Sequence, residues 1–467
     1  MVEVVTIETQ GLGDRSYLAH DGQLAVVVDP QRDIDRVLDA ARAAGVEVAC
    51  VAETHIHNDY VSGGLALARA TGADYLVAGA DQVGFERRPV GDGDVVAVGT
   101  FSILAMATPG HTDHHLAYVL RADDGRHQAV FTGGSLLFGT VGRTDLVAPE
   151  LTDGLTRAQY RSGRRLGAEL AAEVEVLPTH GFGSFCSSGG GSGASRSTIG
   201  DQRRGNPALT GDDEGSFVEA LLGGLTDYPG YYAHMGPRNR AGAEAADLSP
   251  PEVVGSGELS RRIEAGEWVV DLRSRRAFAG GHVQGTVGVE LSDPFATYLG
   301  WVMPWGTPVT LVGSDQGQVA DAQRALARIG VDRPAGAAVG RPDQLAAGRA
   351  LRSYRVSDFA GLVRAGRGAG SSGPAVLDVR RDDEWREGHL AGAVHVPLQE
   401  LVDRMEEVPQ PSGQPVWVHC ASGFRASIAA SLLDRAGRAV VLIDDDWTEV
   451  ARSGLETTAG SALPAGH

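Results

Sequence analysis

The chain has 467 residues, of which 42% are apolar and 22% charged, and a formal net charge of -19, which describes globular protein with length for about three domains of 100 to 200 residues each. No stretch approaches the roughly 18 consecutive apolar residues of a membrane helix, and the acidic balance excludes partners recognised through clustered Lys and Arg, so neither a membrane nor nucleic acid is expected. Cys50, Cys186 and Cys420 form no CxxC pair and are too few for a disulfide framework; with no export signal in "MVEVVTIETQ", free thiols in the cytoplasm are expected.

From the N-terminus to about residue 200, short β-rich runs alternate with alanine-rich helical patterns: "LAVVVDP", "RVLDAARAAG", "VEVACVAETH", "GGLALARATG". That alternation predicts α/β layers with functional residues placed where strands stop. His55 follows "VACVAET", His111 follows "FSILAMATPG", and Gly133 and Gly134 end "QAVFTGG". The tract "SSGGGSGASRSTIG" at 187–200 reads as flexible, and the Pro/Gly-rich passage "MGPRNRAGAEAADLSPPE" at 235–252 reads as the first domain boundary.

Beyond it lies an internal repeat. Residues 269–291, "VVDLRSRRAFAGGHVQGTVGVEL", align with 376–398, "VLDVRRDDEWREGHLAGAVHVPL": a strand ending in Asp and Arg, a short helix carrying an aromatic, Gly-His, a small-residue turn and another strand. Two such units account for the remaining length, with a break near Gly348–Ser353. The expected division is 1–245, 253–350 and 353–460.

The segment "THIHNDYVSGG" carries His55 and His57 two residues apart, then Asp59 and Tyr60. Imidazoles alternating on an extended segment can converge on one ion, with His111 of "TPGHTDHH" arriving from another strand end. These residues resemble the metallo-β-lactamase superfamily, whose pattern is HxHxDH, a His after a Pro-Gly turn, an Asp after a strand and a late His. The resemblance covers about residues 5–185. His55, His57, Asp59 and His111 match, Tyr60 replaces the fourth motif residue, "LPTH" supplies His180 as the late histidine, and "FTGGS" puts Gly134 at the bridging Asp.

Within the superfamily the chain is most similar to persulfide dioxygenases fused to rhodanese domains, through "FTGGSLLFGTVGRTDL". The resemblance implies one Fe(II) per chain, with Zn as the alternative, and oxidation of a low-molecular-weight thiol persulfide to sulfite. Its two-His, one-carboxylate triad carries over as His55 and His111, but glycine offers no ligand atom at 134, so His57, Asp113 or substrate sulfur is left to complete the set. A His55, His57, His111 site still holds Zn or Fe. Loss of the bridging Asp and of a histidine at 60 leaves Asp59 and His180 as remnants of a second site, and argues against two ions about 3.5 to 4 Å apart. Tyr60 is read either as a hydrogen-bond donor facing substrate or as a packed aromatic. Arg143 and Asp145 are read as a loop-positioning pair or a surface ion pair, and Cys186 as a buried thiol.

In the second repeat, "VWVHCASGFRAS" ends a β-run at His419, opens a loop at Cys420 that closes at Arg425, and starts an alanine-rich helix. Backbone N–H groups at such a helix start stabilise a thiolate or bound anion. With "DVRRDDEWREGHLAGAVHVP" this resembles a rhodanese domain over residues 354–456. The resemblance implies that Cys420 takes up a sulfane sulfur and passes it on. Arg425 would hold anionic substrate, Ser422, Gly423 and Phe424 would cradle the sulfur, and Asp378, Arg380 and His389 would brace the fold. The first repeat has Gly313, Ser314 and Asp315 in place of the cysteine and reads as a spacer or docking surface.

The expected fold class is therefore α/β: a metallo-β-lactamase αββα sandwich followed by two rhodanese-like α/β domains. The expected function is persulfide oxidation coupled to sulfane-sulfur transfer. Its small-molecule partners are a thiol persulfide and sulfite or thiosulfate, with homo-oligomerisation left open. The alternatives are a glyoxalase II-like thioester hydrolase, and a metal-free binding scaffold in which Cys420 alone does chemistry.

Overall fold

The run "LAVVV" is apolar at every position because strand Leu24–Val28 is covered on both faces. Val26 and Val28 face a second sheet, while Ala25 and Val27 pack under helices. The computed structural model describes residues 2–189, 193–211, 213–368, 373–410 and 413–459. Residues 190–192 of the glycine-rich tract, and residue 460 at the end of the last expected domain, lie outside the described residues. The chain forms two compact units, Met1–Asp247 with Leu326–Asp332, and Leu248–Ala325 with Arg333–His467.

In the first unit, strands Glu3–Thr9, Asp14–His20, Leu24–Val28, Glu47–Ala52, Asp74–Ala78 and Arg88–Val90 lie side by side in chain order. The first three are antiparallel and the rest parallel. Strands Val95–Val98, Phe101–Ala107, Leu116–Arg121, His127–Gly133 and Glu175–Pro178 make the second sheet, again in chain order. Tyr17, Val26 and Leu76 meet Ile103, Tyr118 and Phe131 between the sheets; each such burial contributes roughly 1.5 to 3 kcal/mol. Helices Asp35–Ala44 and Gly64–Thr71 cover the outside of the first sheet, and Thr152–Glu169 covers the second. This is the expected αββα sandwich.

The passage expected to be a boundary begins as a helix. Tyr232–Ala241 runs through Pro237, whose missing N–H frees the carbonyl of Ala233, and both residues are exposed, so water satisfies that group. Tyr232, Met235 and Asn239 form the buried face that holds the helix in place. Earlier in the chain, Ile199–Gly205 is a helix whose Thr198 and Asp201 make a reciprocal capping box, so the last residues of the tract expected to be flexible form a helix start.

The second unit contains the repeat twice. In the first copy, strands Val287–Gly288, Trp268–Asp271, Val309–Gly313 and Gly336–Val339 form a parallel sheet in that order, and Val253 bridges Ala337 beyond it. In the second, Val394–His395, Val376–Asp378, Val416–His419, Val440–Ile443 and Arg355–Ser357 repeat the order, all parallel. Each copy also closes with a short antiparallel pair, His282–Val283 with Leu351–Arg352 and His389–Leu390 with Thr457–Thr458.

The repeat holds at the level of single bonds. Arg273 Nε and NH2 donate to Asp271 at 3.0 and 2.6 Å and NH2 to the Gly281 carbonyl at 2.9 Å; Arg380 makes the matching bonds to Asp378 at 3.0 and 2.8 Å and to Gly388 at 2.7 Å. His282 and His389 stack on Phe278 and Trp385 while Nδ1 bonds the carbonyl of the same aromatic residue. The cysteine-less copy thus keeps the brace. Its Asp315 accepts from the Gln318 N–H at 2.9 Å at the start of the following helix. Among the described residues no helix is long and apolar enough to cross a membrane.

Candidate functional site

The "THIHND" motif leaves strand Glu47–Ala52 and is fixed from below by Asp29, at the end of the neighbouring strand. Asp29 is fully buried with φ at 50°, a left-handed conformation that Asp tolerates better than most residues. Its Oδ1 accepts from the Thr54 N–H at 2.7 Å, and its Oδ2 accepts from the Thr54 hydroxyl at 2.7 Å and from the Thr179 hydroxyl. One carboxylate therefore joins three strand ends. Burial opposes its charge, but His57 and these donors outweigh it and hold Asp29 below the usual carboxylate range.

These bonds decide which nitrogen of each imidazole keeps its proton. Thr54 gives its hydroxyl proton to Asp29, so it accepts from His55 Nδ1 at 2.8 Å and leaves His55 Nε2 bare. His57 Nε2 lies 3.3 Å from both Asp29 and Glu53 and 3.0 Å from the Tyr60 hydroxyl, so the proton sits on Nε2 and Nδ1 is bare. His111 Nδ1 donates to the Arg143 carbonyl at 2.7 Å, leaving Nε2 bare. His57 Nδ1 and His111 Nε2 are buried with no hydrogen-bond partner. The His55 ring lies 4.1 Å from that of His57 and 4.8 Å from that of His111, centre to centre.

Neutral imidazole nitrogens of this kind suit a borderline cation such as Fe(II) or Zn. Burial and the neighbouring imidazoles hold His55 well below its usual pKa, and burial and His180 push His111 down to about 3, so both stay in the neutral, ligating form. His57 differs: burial opposes its charge, yet Asp29 and Glu53 push it up to about 9, so its Nδ1 becomes a ligand only when an ion displaces the second ring proton. His180 faces His55 nitrogen to nitrogen at 3.3 Å, with its Nδ1 proton held 2.9 Å from Asp14 and 3.2 Å from Asp59. His55, His57 and His180 bring ligand atoms within 4.8 Å of one another, as do His111, His180 and Cys186, whereas the trio expected from the sequence, His55, His57 and His111, is not such a group. Asp59 thus orients His180, and Cys186 is buried beside them.

Tyr60 has a different task from the histidine it replaces. It stacks on His57 at 4.3 Å, accepts from His57 Nε2, and donates to the Asp29 carbonyl at 3.3 Å. Its hydroxyl, considered in the sequence as facing substrate, is spent bracing His57. Arg143 and Asp145 pair at 2.7 and 2.8 Å, and Arg143 is 2% exposed, so the pair fixes the carbonyl that holds His111. Sequence reasoning missed Asp29, Glu53, Asp14, His115 and Asn239. Only Asp29 carries a local signal, an acid at a strand end in "VVVDP".

His111 occupies a slot between two glycines. A Cβ at Gly134 would lie 2.2 Å from His111 Cδ2, and one at Gly142 would lie 2.7 Å from His111 Nδ1. The Gly134 N–H meanwhile donates to His115 Nε2 at 3.1 Å. Gly134→Ala is therefore expected to displace the imidazole and lower cobalt(II) affinity at least about tenfold; unchanged affinity in a titration would show that the ring has room to move.

In the second unit, Cys420 follows strand Val416–His419, and Gly423, with φ at 86°, turns the chain into helix Phe424–Arg435. No side chain fits at 423, where a Cβ would lie 2.3 Å from Asp444 Oδ1. Cys420 is 1% exposed, Phe424 is buried and Ser422 is exposed. Arg425 reaches Glu384 instead of empty space, its two terminal nitrogens donating to the carboxylate at 2.5 and 2.7 Å. The first copy adds to this site: the Tyr298 ring lies 5.7 Å from that of Phe424, and Arg275 and Arg276 hold Asp444 at 2.7 and 2.6 Å.

The rhodanese-like domain model matches residues 363–453. Human mitochondrial persulfide dioxygenase ETHE1 is 27% identical over 201 residues, 43% of this chain and 70% of its own. The hydroxyacylglutathione hydrolase of Cereibacter sphaeroides is 33% identical over 190 residues, 39% of this chain and 67% of its own. Among solved structures, a metallo-β-lactamase from Staphylococcus aureus subsp. aureus COL aligns over 73% of this chain and 99% of its own, with a TM-score of 0.64 at 26% identity.

Proposed function

Because the chain belongs to the metallo-β-lactamase-fold family and ends in a rhodanese-like domain, we propose that it is a sulfur-metabolism enzyme that oxidises a low-molecular-weight thiol persulfide to sulfite at one site and transfers sulfane sulfur at the other. The observation that carries the oxidative half is the buried cluster of His55, His57, His111 and His180, which forms two overlapping groups of ligand atoms sharing His180, combined with the loss of donors for a second ion at Tyr60 and Gly134. One Fe(II) would be held by imidazoles of this cluster and would supply oxygen activation; Zn would fit the same donors. Asp59 borders that site, and Asp29 and Glu53 set the orientation of His57. The net change is RSSH, oxygen and water to RSH and sulfurous acid, the sulfane sulfur being oxidised and oxygen reduced.

At the second site the Cys420 thiolate attacks the outer sulfur of a donor, the S–S bond breaks, and the leaving group departs with the electron pair. Cys420 keeps the sulfur as a persulfide and yields it to an acceptor thiol or sulfite. Arg425 carries the positive charge beside this loop, with Ser422, Gly423 and Phe424 around the sulfur. Covalent linkage of the two activities raises the effective concentration of the shared intermediate. The division at 1–245, 253–350 and 353–460, and a cytoplasmic location, belong to this proposal.

Thioester hydrolysis is favoured by the resemblance to hydroxyacylglutathione hydrolases, but it calls for two ions about 3.5 to 4 Å apart, and the replaced ligands weigh against that. Metal analysis of freshly purified protein, with oxygen uptake on glutathione persulfide, tests the proposal. One iron per chain and one oxygen consumed per persulfide are expected. Two zincs with cleavage of a glutathione thioester would establish the hydrolase, and absence of metal after iron-replete anaerobic preparation would leave a scaffold with an active Cys420.

A further inference from the structure

The cations around the Cys420 loop are all matched by carboxylates. Arg425 is bidentate to Glu384 at 2.5 and 2.7 Å, Arg381 is bidentate to Asp383 at 3.0 and 2.9 Å, and Arg380 is bidentate to Asp378. On the other side of the loop, Asp444 lies against Gly423 and is matched by Arg275 and Arg276 of the cysteine-less copy. The same copy supplies an aromatic wall, Tyr298 against Phe424 at 5.7 Å and Trp301 stacked on Tyr298 at 5.9 Å. Tyr298 is close enough to Arg425, Glu384 and Cys420 for their charges to act on its hydroxyl.

The two kinds of sulfane donor differ sharply in charge. When thiosulfate reacts, thiolate and dianion together bring three negative charges to the loop, and sulfite leaves as a dianion. When an organic persulfide reacts as RSSH, the thiolate brings the single negative charge, the terminal sulfur moves to Cys420 with its proton, and RS⁻ leaves with the electron pair. Only the first reaction requires an arginine free of its own counterion. An aromatic wall serves only the second, by covering the organic part of the donor.

Resting on the sulfur-transfer reading above, we propose that Glu384 is a specificity-determining residue: by occupying both terminal nitrogens of Arg425, it makes the Cys420 loop select organic persulfides over the thiosulfate dianion. The Tyr298 wall, donated by the copy that has lost its cysteine, supports the same choice.

The test compares kcat/KM for glutathione persulfide and for thiosulfate, with cyanide as acceptor, in the full-length chain. The wild type is expected to favour the persulfide, and Glu384→Gln to shift the ratio toward thiosulfate by about tenfold or more. Glu384→Asp, which keeps the charge, is expected to stay near wild type. A ratio unmoved in Glu384→Gln, or a wild type that already favours thiosulfate, overturns the proposal, and the second result decides even if the glutamine variant does not fold. If both donors turn over in Cys420→Ser, the transfer reading itself fails, which is a separate outcome.

Discussion

Cys420→Ser is expected to abolish sulfurtransferase turnover, lowering it by at least about a thousandfold with either donor, because a serine hydroxyl stays protonated where the reaction needs an anionic sulfur nucleophile. The replacement is nearly isosteric at a buried position, so a melting curve close to wild type should accompany the loss. Neither other cysteine can take over. Burial and Asp74 push the Cys50 thiol up to about 12, and burial with Asp59 holds Cys186 well above the usual thiol range. Turnover retained in the variant would show that one of those two carries the sulfur.

His111→Ala is expected to have the largest effect on the first unit. The substitution removes a buried imidazole nitrogen of the cluster and leaves the Arg143 carbonyl without its donor. Disturbing a group that merely orients a ligand weakens metal binding or activity about 10- to 100-fold, and loss of a ligand should exceed that. Bound iron and persulfide-dependent oxygen uptake should fall together, while Cys420-dependent transfer from thiosulfate continues. That contrast separates loss of the centre from global unfolding. Oxygen uptake that persists in His111→Ala would sink the oxygenase proposal.

Much of the architecture is legible in the sequence because strands with two covered faces appear as continuous apolar runs, and their ends are marked by polar residues. His55, His111 and His180 can be located that way, and the Asp-Arg and Gly-His pairs of the repeat lead directly to the observed braces. What the sequence conceals is action at a distance. Tyr60 cannot be read as a support for His57 without knowing that Asp29, from another strand, receives its proton. Gly134 looks like a ligand lost; in the folded chain it is also the space that His111 fills. Arg425 looks available to substrate until Glu384, distant in sequence, is placed against it. The passage at 235–252 conceals the end of helix Tyr232–Ala241, which continues through Pro237 before the first compact unit ends at Asp247.

Asn239, on the helix that contains Pro237, donates to the carbonyls of His57 and Tyr60 at 2.8 and 2.9 Å and accepts from the Ser62 N–H at 2.9 Å. The loop bearing His55 and His57 is thus latched by a residue well past the stretch in which the candidate ligands themselves occur. Anyone cutting the chain just after His180 would obtain the histidine cluster on a hinge with its bolt withdrawn. A piece that keeps this latch must extend at least through residue 241.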